Sequence, residues 1–571
     1  MRTPRSEYPR PDFARENWLT LNGEWDFSIG TDSFDRKILV PFACESELSG
    51  IGDTGFHPVV WYRRNFSVPE SMRGKRLVLH FGAVDYACCV WVNGAAVKEH
   101  AGGQSSFEAD ITHAVSWTGE NTVTVKVTDD PKDLEQPRGK QFWEAEPRSI
   151  FYTRTTGIWQ SVWLEAVSDQ HLETVRITPL FDEKAVKFEY VLCGDGDAEL
   201  ETEIFFHGAP ITQASVRPRG KKGFFTVSID QPTASAWNFY EDLAWSPETP
   251  RLFDVTFRVR CGGQCQDEVS SYFGMRKVSV ENGVFLLNNR PYYQKLVLDQ
   301  GYWPQSLMTA PSDEAFVKDI ELIKAMGFNG LRMHQKVEDP RFYYHTDRLG
   351  LLVWGEIGSA YIYSVEYAQR FYREWTECIL RDYNHPSIVV WVPLNESWGI
   401  QEIGRDRMQQ AHSMAACNIT KSLDPTRLVV DNDGWEHTCG DLLTIHDYES
   451  DARVLHDRYA QLYSILKYRP AGKELYACGH AYAGQPVIVS EYGGICFVQD
   501  GTDGWGYSND SDPQEYTGHI AALTAELLDS PHVQGYCYTQ LCDIETEQNG
   551  LLTYDRRPKV PLDLLRKANR S

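Results

Sequence analysis

Two apolar runs constrain this chain more than any other feature. Ile388-Val389-Val390-Trp391-Val392-Pro393-Leu394 leads into Asn395-Glu396-Ser397-Trp398, and Pro486-Val487-Ile488-Val489-Ser490 leads into Glu491-Tyr492-Gly493-Gly494. Neither run alternates apolar with polar residues. Each therefore reads as a strand covered on both faces, as in a parallel sheet. Each ends in a glutamate, at what would be the strand's carboxyl end. In a (β/α)₈ barrel the carboxyl ends form the catalytic face. Two glutamates on one barrel mouth are what retaining glycoside hydrolysis uses, one as acid/base and one as nucleophile. Repulsion between them would keep one protonated near neutrality. A lone strand-end glutamate is more often a solvated loop charge. Two of them, flanked by Asn395 and by Tyr492-Gly493-Gly494, weaken that reading. Spacing does not say which glutamate plays which part.

The rest of the chain falls into three patterns. Up to residue 168, short alternating runs are broken by Gly, Asn, Asp and Pro: Gly23 to Ser28, Arg76 to Phe81, Cys89 to Gly94 and Thr122 to Val127, closed by Thr156 to Glu165. This predicts a β jelly-roll sandwich over 1–168. A second alternating series covers His171 to Pro179, Ala185 to Leu192, Leu200 to Phe206, Gly223 to Ile229 and Leu252 to Val259. It predicts a smaller immunoglobulin-like β-sandwich over 169–276. From 277 to 571, apolar strands alternate with amphipathic helices, as a C-terminal (β/α)₈ TIM barrel requires. The strands are Tyr293 to Leu298, Gly330 to Met333, Leu351 to Trp354, Ile388 to Leu394, Leu428 to Asp431, Leu443 to His446, Val487 to Glu491 and Gln534 to Tyr538. Helices fall over Asp313 to Met326, Glu366 to Tyr383, Met408 to Ser422 and Pro513 to Leu528.

Composition narrows the partners. A net charge of −24 argues against a nucleic-acid surface, which must neutralise phosphates. The 17 Trp, 29 Tyr and 26 Phe do ordinary core work, and their flat faces also suit sugar rings. Met1-Arg2-Thr3-Pro4-Arg5-Ser6-Glu7 leads into no apolar stretch, and no window is apolar enough to span a membrane. The 13 cysteines are scattered, and neither Cys88-Cys89 nor Cys261 with Cys265 has the second half of a zinc site. They read as reduced and mostly buried, in a cytoplasmic protein. No cofactor or metal is expected. A homo-oligomer is compatible with all of this.

The motifs resemble glycoside hydrolase family 2, which holds β-galactosidases, β-glucuronidases and β-mannosidases. Gly327-Phe328-Asn329-Gly330-Leu331-Arg332-Met333-His334 looks like its second-strand signature, followed by Asp347 to Glu356. Leu394-Asn395-Glu396-Ser397-Trp398 resembles its acid/base motif, and Val489-Ser490-Glu491-Tyr492-Gly493 its nucleophile motif. The resemblance implies Glu396 as acid/base, Glu491 as nucleophile and Asn395 on the sugar 2-hydroxyl. It also implies Arg332 and His334 lining the sugar site, with Arg332 close to the nucleophile, and Tyr448 hydrogen-bonding that nucleophile. Asp431-Asn432-Asp433-Gly434-Trp435 ends the fifth strand and would hold a hydroxyl or stack Trp435 on a ring; an Asx-rich turn explains it as well. Trp398, Asp299 and Asp543 are weaker candidates of the same kind.

Three departures bear on substrate and metal. One residue, Met333, separates Arg332 from His334, where the family often has two. Glu356 is followed by Ile357-Gly358, so the histidine of a magnesium-binding Glu-x-His is missing. Glu545 to Leu552 lacks the lysine of the Asn-x-Lys-Gly motif that reads a uronate carboxylate. The expectation is a retaining exo-β-glycosidase acting on a neutral sugar, β-galactosidase-type first. β-Glucuronidase or galacturonidase, β-mannosidase and β-glucosidase stay open. Lys336, just past the second strand, is the residue placed to overturn the neutral reading. The rival of another class is a non-catalytic carbohydrate-binding protein.

Overall fold

A computed structural model describes residues 3–194, 197–230, 242–498 and 504–570. The N-terminal sandwich pairs a six-stranded antiparallel sheet with a four-stranded one. Alternation places Trp25, Phe27, Tyr62, Leu79, Phe81, Val90 and Val125 between the sheets, all buried. Each such side chain contributes about 1.5–3 kcal/mol of transfer free energy. Asn93 and Gly94, both at positive φ, form the two-residue turn between strands Ala87–Val92 and Ala95–Ala101. The segment expected as one closing strand is two. Gly157–Ile158 pairs with Val84–Asp85, and Val162–Val167 joins the four-stranded sheet. At the break the buried Trp159 indole donates to the Gly103 carbonyl at 2.7 Å.

The second sandwich has a three-stranded sheet against a four-stranded one, the immunoglobulin-like arrangement. Two of its strands, Ala209–Val216 and Gln264–Phe273, have no clear apolar alternation in sequence. The first is a largely exposed edge strand, where packing demands little of the sequence. No disulfide joins any of the thirteen cysteines, Cys261 and Cys265 included.

The C-terminal barrel strands are β1 (Gln294–Asp299), β2 (Gly330–Met333), β3 (Leu352–Glu356), β4 (Ile388–Val392), β5 (Leu428–Val429), β6 (Leu443–Asp447), β7 (Val487–Gly493) and β8 (Val533–Thr539). They form one parallel sheet in the order β5-β4-β3-β2-β1-β8-β7-β6. The helix after β3, Val365–Asp382, buries Tyr367, Phe371, Trp375, Cys378 and Ile379, the three-to-four spacing of an inward stripe. Its N-cap Ser364 accepts from the Tyr367 amide. No helix lies between β5 and β6, and these two strands share no ladder. Side chains close that seam instead. Asp441 accepts from the Val429 amide at 2.8 Å, and His437 spans Asp431 and the Thr444 carbonyl at 3.0 and 2.8 Å. Among the described residues no helix is long and apolar enough to cross a membrane.

A jelly-roll loop reaches over to the barrel rim. The Gly139 amide donates to Ser359 O at 3.0 Å and the Tyr361 amide to Leu134 O at 2.8 Å. Gly139 has φ +60, and a Cβ there would sit 2.4 Å from Gln335 O. The loop can lie this close to the barrel only with glycine at that position. This contact sets Lys140 at the barrel mouth.

Candidate active site

Beyond β4 the chain turns sharply. Glu396 and Ser397 take φ of +52 and +60, a left-handed conformation costing non-glycine residues on the order of 1 kcal/mol each. The segment after β5 holds them there. The Glu396 amide donates to Asp433 O, and the Ser397 amide to Asn432 Oδ1, both at 2.9 Å. Ser397 Oγ donates to Glu436 at 2.7 Å. The result is a glutamate whose side chain is 15 % exposed, the most open carboxylate of the cluster. Glu491, on β7, is nearly closed off at 5 %.

Arg332, fully buried on β2, organises the centre. It donates to Glu491 Oε1 at 2.9 Å and to Asn395 Oδ1 at 2.6 Å, lies 3.1 Å from His334 Nδ1, and pairs with Glu356 and Asp433. Tyr448 donates its hydroxyl to the other Glu491 oxygen and lies 3.2 Å from Thr539 Oγ1. A second cation, His446, stands between the two glutamates. Its Nδ1 is 2.7 Å from Glu396 Oε1 and 3.5 Å from Glu491 Oε2, and its Nε2 is 3.1 Å from Asp433 Oδ2. Gly434 makes room for this ring: a Cβ there would lie 2.8 Å from it.

Burial alone would push the His446 imidazole down, but Glu491, Asp433 and Glu396 around it push it up to about 10. The ring is therefore an imidazolium at neutral pH. For Glu396, burial works upward, yet the His446 hydrogen bond, Lys140 and Arg332 outweigh it and leave the carboxyl below its ordinary range. The expected rise of one carboxyl by mutual repulsion does not occur at Glu396, because an imidazolium is interposed. His334 is driven the other way. Burial, with Arg332 and Lys140 alongside, holds it well below the usual histidine range and therefore neutral.

Of the residues singled out from sequence, Glu396, Glu491, Asn395, Arg332, His334 and Tyr448 converge on this cluster. Trp435 joins them, its ring 5.6 Å from His446. Trp398 flanks the acidic turn in an aromatic wall with Phe151 and Tyr361, at 5.8 and 5.3 Å between centroids. Asn395 Nδ2 and Trp435 Nε1 are buried without a hydrogen-bond partner, two donors open to a ligand. Asp299 turns to the Gly301 amide at 2.9 Å and into the charges of Asp319 and Arg556. Asp543 pairs with Lys559 at 2.7 Å. Lys336 is locked to Glu338 and two carbonyls beneath the rim.

Sequence reasoning gave no site role to Glu356, His446, Lys140 or Glu547, and reached Asp433 only as part of the segment that ends the fifth strand. Asp433 and His446 lay inside quoted segments, and the signal was their place at the ends of the fifth and sixth strands. Lys140 had no signal, because it comes from another domain. One oxygen of Glu396, one of Glu491 and a ring nitrogen of His446 lie within 4.8 Å of one another. With His446 protonated, its Nδ1 donates to Glu396 and the three groups form a hydrogen-bonded set.

Known proteins match this architecture. The profile described as "Glycosyl hydrolases family 2, sugar binding domain" matches 51–165, "Glycosyl hydrolases family 2" matches 170–276, and "Glycosyl hydrolases family 2, TIM barrel domain" matches 278–571. The chain belongs to glycoside hydrolase family 2. It is similar to a β-galactosidase of Thermoanaerobacter pseudethanolicus, 27% identical over 370 residues that cover 62% of this chain and 47% of that protein. The chain thus spans about half the length of that relative. It is also similar to a β-glucuronidase of Canis lupus familiaris, 25% identical over 98% of this chain and 91% of that protein. Among solved structures, a β-D-glucuronidase of Dictyoglomus thermophilum shares the fold at a TM-score of 0.80 and 19% identity, over 99% of this chain and 98% of that one.

Proposed function

We propose that the protein is a retaining exo-β-glycosidase acting on a terminal neutral sugar, β-galactoside type first. One observation carries the reading: an oxygen of Glu396 and an oxygen of Glu491 lie within 4.8 Å of each other across the barrel mouth. Retaining enzymes hold their carboxyl groups about 5–5.5 Å apart, whereas inverting ones leave roughly 6.5–9.5 Å for a water. Glu491 is held by Arg332 on one oxygen and Tyr448 on the other, aimed by both. It attacks the anomeric carbon, a C–O ester bond forms, and the glycosidic C–O bond breaks. Glu396 delivers the proton to the departing oxygen. That proton is stored at His446, 2.7 Å away, and passes through Glu396 to the departing oxygen. In the second step Glu396 takes a proton from water and returns it to His446, the water oxygen attacks the anomeric carbon, and the ester opens.

The neutral-sugar reading rests on charge. Five carboxylates surround the site (Glu356, Glu396, Asp433, Glu491 and Glu547) against three cations, Arg332, His446 and Lys140. A further buried carboxylate is disfavoured there. Phe151 of the jelly roll joins barrel residues Tyr361 and Trp398 in an aromatic wall beside the acid/base turn, which supports exo action. Cysteines without disulfides fit a reducing compartment such as the cytoplasm. Proton NMR of an aryl β-galactoside digest tests the mechanism. The β-anomer should appear first and mutarotate afterwards. A first-formed α-anomer would sink the retaining mechanism.

A further inference from the structure

We propose that Lys140 and Glu547 form a donor–acceptor pair that reads hydroxyl groups of the bound sugar and sets which glycoside is accepted. The inference rests on the glycosidase reading above and deepens it. Lys140 is 7 % exposed, yet among the described residues its ammonium makes no hydrogen bond or ion pair. It lies 4.9 Å over the Trp398 ring, and its charge reaches Glu396, His334 and Glu547. The loop holds it there through Gly139 against the barrel and through its own carbonyl, which accepts from the Tyr152 amide at 2.9 Å. The protein uses none of the three donors of this ammonium at the barrel mouth, which leaves them to a ligand's acceptors.

Glu547 lies on the loop after β8, buried at 2 % exposure, and Tyr152 joins the two residues, its amide donating to Lys140 O and its hydroxyl to Glu547. Its Oε2 accepts from Tyr152 and its Oε1 from Asn549 at 3.0 Å. Each oxygen keeps lone-pair capacity. Burial raises this carboxyl, and Lys140 is the strongest influence against that rise. The two groups form no hydrogen bond or ion pair with each other, so space for a bridging group lies between their partners. A group that bridges them must accept from the ammonium and donate to the carboxylate, which a hydroxyl does and a uronate carboxylate does not. A uronate would satisfy Lys140 while facing Glu547 and both glutamates of the centre.

The test uses the full chain with Lys140→Met, Glu547→Gln and the double variant. The measurement is kcat/KM on aryl β-galactoside, β-glucoside, β-mannoside, β-glucuronide, the 6-deoxy sugar β-fucoside and a 4-deoxy galactoside, with Tm recorded for each variant. Each single variant should lose roughly 10- to 100-fold on the preferred sugar, the value of a charge-assisted hydrogen bond. The loss should nearly vanish on the deoxy sugar that lacks the hydroxyl they hold. The double variant should be little worse than either single one, as for a shared contact. Lys140→Arg, which keeps the charge, guards against misfolding and should shift the ranking of sugars at unchanged Tm. Equal losses on every sugar, or none on any, would overturn the pair while leaving the glycosidase reading intact. A wild-type preference for the glucuronide that collapses in Lys140→Met would overturn it in favour of a carboxylate. A wild type inactive on the whole panel would remove the glycosidase reading and this inference with it.

Discussion

Lys336, at the exit of β2, and Lys140, on the jelly-roll loop above the rim, are both buried, at 1 % and 7 % exposure. Lys336 spends its three donors inside the protein, on Gly301 O at 2.6 Å, Met308 O at 2.7 Å and Glu338 Oε2 at 2.5 Å. The rings of Trp159 and Trp303 cover it at 5.4 and 5.2 Å. It ties the exit of β2 to the loop after β1. Lys140 spends none of its donors. The same contrast separates the Arg332 cluster, where Asn395 and Trp435 keep open donors, from closed ion pairs such as Asp543 with Lys559. Burial of charge therefore does not distinguish these two lysines; the use each makes of its hydrogen-bond donors does.

The largest expected effect lies on the open side of this contrast. Glu396→Ala should cost about 10²- to 10⁴-fold on glycosides with poor leaving groups. With a good leaving group the loss should be small and a burst should appear, since deglycosylation then limits. Losses of equal size whatever the leaving-group pKa would remove Glu396 from proton transfer. On the closed side, Lys336→Met should lower unfolding free energy by roughly 3–5 kcal/mol, because Glu338 loses its buried cation. The ranking of sugars by kcat/KM should not move. Urea denaturation with the same glycoside panel measures both, and a changed ranking at unchanged stability would break the comparison.

His446 gives the smallest and most diagnostic effect. Its ring, pushed up to about 10, holds its proton below that pH and loses it above. The alkaline limb of kcat/KM should therefore follow the His446–Glu396 pair and lie well above neutrality. In His446→Asn no such proton is stored, and the limb should move to lower pH, toward the carboxyl of Glu396 itself. A limb in the same place in both proteins would rule out proton storage at His446.

Much of this was legible in the sequence, and the reasons are physical. A strand buried on both faces has no alternation, so β4 and β7 declared themselves with their terminal glutamates. The Val365–Asp382 helix was legible because one apolar stripe faces the core. The edge strand Ala209–Val216 was not, since exposed faces impose no pattern. Nor was the open seam between β5 and β6, which the side chains of His437 and Asp441 close. Lys336 drew attention by its position after β2, but a sequence does not show that neighbouring carbonyls consume its donors. Lys140 lies in a loop with no periodicity, and only the fold brings it beside Trp398.

The central claim is that Glu491 becomes covalently attached to the sugar. Incubation with 2-deoxy-2-fluoro-β-galactosyl fluoride, followed by peptide mass mapping, tests it most directly. Fluoride should depart as the Glu491 carboxylate bonds to the anomeric carbon, and the slowed second step should leave the ester trapped. The account predicts time-dependent inactivation with one fluorosugar on the peptide that carries Glu491. An adduct on a different residue, or continued turnover of the fluoride with no adduct at all, would contradict it.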